Sequence, residues 1–229
     1  MAYLSPLFLL IASLAGIIIV QAYRNSPPRR LSRVLRIVPP LRWHTVNVVE
    51  ERLLGLPLAP LVMPSRAVTM STLLMRDDLG ESATCYLLLP QPSEIDTTIP
   101  AVIVLHGHMT HASDMVGSTT SSQVWPIATV LAHDGFAVFV PEIRWETQDL
   151  KGETRQAFIM LLDGKTLMGE RAADVLRVVD FVSRHPSVNP QRIGVLGWSM
   201  GGKIALIAAA LDQRISAVYL SSTFSPYKA

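Results

Sequence analysis

The chain of 229 residues predicts an α/β fold, a mostly parallel doubly wound sheet with an N-terminal membrane helix. Three observations carry that expectation. Strand-like and helix-like runs alternate from residue 101 onward, the pattern of a parallel sheet covered on both sides. Ala101-Val102-Ile103-Val104-Leu105 is wholly apolar and β-branched at its centre, as suits a strand buried on both faces. Residues 1–23 carry no Asp, Glu, Lys or Arg, and Ala2 to Tyr23 has the ~20 residues that cross a bilayer.

Taken in order, residues 1–23 read as a single-pass anchor, because no basic residue precedes Leu7 as a signal peptide would require. Arg24, Arg29, Arg30, Arg33 and Arg36 follow at once and put the domain on the cytoplasmic side. Val20-Gln21-Ala22 keeps the alternative of a cleaved signal with a secreted or periplasmic domain. Residues 24–66 form a basic, proline-containing neck, with eight arginines against Glu50 and Glu51. Within it, residues 42–66 read as a short amphipathic element with proline breaks. Residues 67–229 form the third segment, in which 12 basic residues face 16 acidic ones. The neck suits a membrane partner through residues 2–23. The acidic body, with no aromatics interleaved among the arginines, argues against nucleic acid. Cys85 is the one cysteine, so no internal disulfide forms, and its strand-like surroundings make it core filler.

Val68–Met75 and Ala83–Leu89 read as strands joined through Asp77-Asp78-Leu79-Gly80, which supplies turn residues. Ala101–Leu105 is the buried strand, Val124–His133 a helix ending near Gly135, and Phe136–Val140 a strand stopped by Pro141. Residues 144–166 are polar and irregular, a loop or small cap. Gly169–His185 steps its apolar residues by three and four, as a helix face does. Ile193–Leu196, Met200–Leu211 and Ile215–Leu220 complete a strand, a helix and a strand.

Gly197-Trp198-Ser199-Met200-Gly201 falls at one strand-to-helix junction and reads as G-x-S-x-G, a nucleophile elbow. The turn is so tight that Gly197 and Gly201 must lack side chains. Ser199 would be the nucleophile, needing a base to take its proton. The backbone N–H of Met200 would face the oxyanion formed on attack. His106-Gly107-His108 follows the Ala101–Leu105 strand, and the N–H of His108 is the candidate second donor. The side chains of His106, His108 and His111 read as turn histidines bonded to their own loop, with a substitute base for Ser199 as the alternative. They have no metal-ligand spacing, so neither a metal nor any other cofactor is expected.

These residues carry a resemblance. Pro100 to Gly107, Ala173 to Arg177, Val188 to Val195, Gly197 to Gly202 and Ala209 to Ile215 resemble α/β-hydrolases of the dienelactone hydrolase and acetyl xylan esterase type. The resemblance covers residues 68–227 and implies a serine esterase with Ser199 as nucleophile and Met200 and His108 as oxyanion donors. Such families place Asp-x-Arg-Gly where this chain has Glu142-Ile143-Arg144-Trp145, so that loop is expected to differ. Their triad Asp and His come from later strands, which makes this an expected partial hydrolase domain, inactive alone. Asp174 and Asp180 belong to a helix and Asp212 ends another, away from the strand edge, so none suits the triad.

The function expected is hydrolysis of a small ester or amide by acyl transfer to Ser199. Two alternatives stand beside it: a non-catalytic, membrane-tethered binding protein on a degenerate hydrolase fold, and a serine peptidase acting on small peptides.

Overall fold

Alternation along one strand decides the layering. In β5 (Ile99–Leu105), Ala101, Ile103 and Leu105 belong to one buried cluster, and Val102 and Val104 to another. A strand buried on both faces needs cover on both, and helices supply it. Against the first face lie α4 (Leu167–Val182) and α5 (Met200–Leu211); against the second lie α1 (Ala112–Met115) and α2 (Ile127–His133). The computed structural model describes residues 18–19, 45–54, 67–76, 82–91, 98–118, 125–145 and 150–224.

The remaining elements are β1 (Ile18–Ile19), β2 (Thr45–Leu54), β3 (Val68–Arg76), β4 (Ser82–Pro90), β6 (Ala137–Pro141), α3 (Leu150–Leu162), β7 (Val188–Trp198) and β8 (Ile215–Ser221). Among the described residues the strands form one sheet of order β1-β8-β7-β5-β6-β4-β3-β2. Its centre, β8-β7-β5-β6, is parallel, while β2, β3 and β4 continue it as an antiparallel meander. The doubly wound expectation therefore holds for the part of the chain that follows residue 98.

Several boundaries depart from the sequence reading. Residues 144–166 are not wholly irregular, because Leu150–Leu162 is helix α3. None of its residues is buried, and Leu150, Phe158, Leu161 and Leu162 are exposed, so it shows no inward apolar stripe. Residues 45–54 of the supposed amphipathic element are strand β2, in register with β3 from Thr45↔Arg76 to Leu54↔Val68. Strand β7 begins at Val188, five residues before Ile193, and runs through Pro190. Helix α2 starts at Ile127 rather than Val124, with Pro126 at its N-cap. Thr166 starts α4 by accepting a hydrogen bond from Gly169 N–H at 3.0 Å.

The expected membrane helix needs correction at Ile18 and Ile19. Both are extended and pair with Leu220 and Tyr219 of β8. A β-branched apolar residue suits a strand as well as a bilayer, and an open strand edge attracts such partners. The rest of residues 1–23 and the neck as far as residue 44 lie outside the described residues, as does the Asp77–Gly80 turn. Among the described residues, no helix is long and apolar enough to cross a membrane.

Helix α5 comes unusually close to the sheet. A Cβ on Gly201 would stand 2.4 Å from Leu105 O and 2.5 Å from His106 O, while one on Gly197 would stand 2.4 Å from Gly201 O. Those obstacles are backbone and cannot swing aside. Gly201→Ala is therefore expected to cost at least the ~1–3 kcal/mol of core overpacking, read as a fall in the urea midpoint; an unchanged midpoint would refute the close approach. Cys85 is fully buried, and burial pushes its thiol up to about 12. It should resist iodoacetamide at about pH 8 until the protein is unfolded, because the thiolate is the reacting form; mass spectrometry of native and urea-treated samples checks this.

Candidate active site

The loops after β5, β6 and β7 leave the carboxyl ends of parallel strands, where sheets of this class gather reactive groups. Ser199 stands between β7 and α5 at φ 53°, ψ −114°. A serine holds such a conformation only where its surroundings over-determine it. Here Ser199 N–H donates to Ser221 O of β8 at 2.8 Å, and Gly202 N–H donates to Ser199 O at 3.1 Å. Ser199 occupies the N-cap position, yet its hydroxyl does not cap α5. Serine is favoured at that position because its oxygen usually accepts from the first turn. Met200 opens the helix, and its N–H is among those a helix cannot satisfy internally.

The three histidines sit in the loop after β5. His106 is fully buried, and both ring nitrogens are committed: Nδ1 lies 3.0 Å from Gly107 O, and Nε2 accepts from Ile143 N–H at 3.0 Å. His108 Nε2 lies 2.8 Å from Glu153 Oε2 of α3. His111 Nδ1 lies 3.2 Å from Glu142 Oε1, which follows β6. These partners are backbone groups of the loops after β5 and β6, Glu142 after β6 and Glu153 of α3.

The pairing of three guanidiniums, those of buried Arg171 and Arg177 and half-buried Arg144, escaped the sequence reading. Arg171 of α4 is 3% exposed and donates to Arg144 O at 3.0 Å, Trp145 O at 3.2 Å and Met200 Sδ at 3.0 Å. It also lies 2.9 Å from Glu153 Oε1. One cation thus joins the β6 loop, helix α3 and the start of α5. Arg144 binds both oxygens of Asp174, and Arg177 adds a third bond at 2.5 Å. Asp174 is consequently not remote from the strand edge, as its helical position suggested, but arginines occupy its oxygens. The signal for Arg171 was present: it shares a face with Val175 and Val178, an apolar stripe on which a charge must find partners.

The Glu142-Ile143-Arg144-Trp145 loop works through its first and third residues. Glu142 accepts from Ala112 N–H at 3.0 Å at the start of α1 and holds His111. Burial would raise the Glu142 carboxyl, but His106, Ala112 N–H and His111 outweigh it and hold the group below its ordinary range. At Glu153 burial is likewise overcome, by His108 and Arg171.

A parallel β8-β7-β5-β6 core, helices on both faces and a strained serine between strand and glycine-rich helix define an α/β-hydrolase. The chain belongs to the dienelactone hydrolase family, whose profile matches residues 85–221. YtaP of Bacillus subtilis (strain 168), named as a candidate hydrolase, is 30% identical over 152 residues, covering 64% of this chain and 50% of YtaP. A Bacteroides fragilis NCTC 9343 protein named as a candidate acetyl xylan esterase superposes with a TM-score of 0.64 at 12% identity. That match covers 95% of this chain and 60% of the other. The acetyl xylan esterase from Paenibacillus sp. R4 superposes at 0.52 and 20% identity, over 82% of this chain and 54% of its own. At these identities the structural likeness is one of fold. The chain spans about half the length, or less, of the curated relatives it matches.

Both lowered carboxyls give folding a defined acid dependence. An ionised form favoured by the folded state adds stability that is complete above the unfolded value, here near 4.5, and is lost as pH falls through the lower folded value. Tm should therefore drop as pH is taken from about 6 to about 3. Glu153→Gln cannot titrate at that position and should flatten the drop; an identical slope in the variant would count against the Glu153 assignment.

Proposed function

We propose that this chain carries the nucleophile and oxyanion hole of a serine esterase. The observation that supports this reading most is the strained Ser199, held at positive φ between β7 and α5 with a hydroxyl that caps nothing. Strain at a non-glycine residue is kept where it serves geometry. Gly197 and Gly201 let β7 and α5 meet closely enough to make the turn.

In the proposed reaction, Ser199 Oγ attacks the ester carbonyl carbon while its proton passes to a base. The carbonyl oxygen becomes an oxyanion, received by the backbone N–H groups of Met200 and His108. Losing one such donor typically costs ~2.7–4 kcal/mol of transition-state stabilisation, so the placement of these two loops matters to the rate. Collapse of the intermediate expels the alcohol with a proton and leaves an acyl group on Ser199, which water then removes. The base is a group other than His106, whose two ring nitrogens are both engaged.

A fluorophosphonate reagent tests the proposal without knowledge of the substrate. In the natural protein, isolated from its own cells, Ser199 should be phosphonylated, as located by peptide mass spectrometry, and Ser199→Ala should remove the label. A well-folded protein that takes up no label would favour the binding-protein alternative.

A further inference from the structure

Exposed apolar side chains are not spread evenly over the described residues. Of the nine large ones left in water, five lie on α3 and three, Met109, Trp145 and Phe224, in the loops after β5, β6 and β8; Trp125 is the exception. Those loops leave the edge of the sheet that carries Ser199. Helix α3 stays at the same edge. It follows the loop after β6 and leads into the start of α4, where Arg171 donates to Met200 Sδ at 3.0 Å.

The two sides of α3 differ in kind. Glu153, its one carboxylate, faces inward and lies 2.8 Å from His108 Nε2 and 2.9 Å from Arg171 Nη2. The outer side holds Leu150, Phe158, Leu161 and Leu162 at 52%, 63%, 56% and 73% exposure, with the cations Lys151 and Arg155 exposed among them. A helix packed on a core and facing water shows the reverse, with its leucines inside. Leucine and phenylalanine interspersed with lysine and arginine suit the boundary between headgroups and acyl chains, where long basic stems reach back to the phosphates.

Chain direction is a second, independent observation. Strand β1 is antiparallel to β8, with Ile18 opposite Leu220 and Ile19 opposite Tyr219. The chain thus enters β1 from the side of Ser221, whose carbonyl accepts Ser199 N–H at 2.8 Å. Residues 1–17, which precede it in sequence, hold no Asp, Glu, Lys or Arg. An uncharged sequence therefore joins the fold at the edge where α3 shows its leucines.

We propose that this edge rests on an anionic bilayer surface, with the outer side of α3 bedded among the headgroups and Lys151 and Arg155 against the phosphates. The helix lies in the plane of the interface and does not cross it. The proposal stands on α3 and β1 and does not depend on the serine-esterase reading.

An environment-sensitive nitrobenzoxadiazole label reports on α3 directly. Leu162→Cys in the full chain places a thiol on the outer side, while buried Cys85, its thiol pushed up to about 12, stays unlabelled. On vesicles of phosphatidylcholine with phosphatidylglycerol the label should brighten several-fold and be quenched by nitroxide-bearing lipid. Vesicle affinity should be about fivefold lower or more on phosphatidylcholine alone, the scale of one cation at a charged surface. The same label at Arg192→Cys, exposed near the start of β7 on the opposite edge, should not respond. A full chain that sediments with vesicles while the Leu162→Cys label stays dim overturns the proposal, since another segment then meets the lipid. A chain that does not sediment at all overturns it too. So does a label that brightens with protein concentration in vesicle-free buffer, which would assign this face to a second copy of the chain.

Discussion

Contact between bare backbones at the start of α5 is the constraint on which the rest of the edge depends. With glycine at positions 197 and 201, the first turn of the helix comes within van der Waals reach of the ends of β5 and β7. Ser199 is forced into its left-handed conformation by that approach, and its N–H is anchored to β8. The sheet order follows the same geometry. β7 lies between β5 and β8, so both neighbours of the strand that leads to Ser199 contribute to holding the turn. Close packing of this kind admits few alternative arrangements, since a shift in one element meets backbone rather than a movable side chain.

Charge completes what packing begins. The loop after β6 buries Ile143 in the core, and arginine pairings fix the remainder of it. Arg171 satisfies two carbonyls of the β6 loop, and Arg144 of that loop is held in turn by Asp174 and Glu170 of α4. A buried cation is tolerable only with its partners in place. The network therefore couples helix α4, which is remote in sequence from the β5 loop, to the placement of His108 through Glu153.

Much of this was legible in the sequence, and the exceptions have physical causes. The parallel core could be read because its strands are short, apolar and β-branched, a pattern set by burial on both faces. The elbow could be read because glycine spacing reports backbone crowding directly. Strand β2 was missed because the prolines and leucines around it broke the alternation that marks a half-buried strand. Helix α3 was missed for a related reason: it buries no face, so its composition shows no stripe. The arginine network was legible only in that Arg171 sits on the apolar stripe of α4, because the pairing of residues 144, 153, 171 and 174 depends on loop geometry that no local pattern encodes. Asp174 illustrates the point, having a helical position in the sequence yet lying against the loop that follows β6.

The two-sided burial of β5 has a consequence for how the chain finds its fold. Ile103 and Leu105 fill one core while Val102 and Val104 fill the other. Sliding that strand by a single residue would exchange the two sets, sending the larger side chains into the space made for the smaller and the reverse. An ordinary sheet with one wet face suffers from such a slip on one side only. Here the error is felt in both cores at once, so the central strand acts as an alignment key for the edge that carries Ser199.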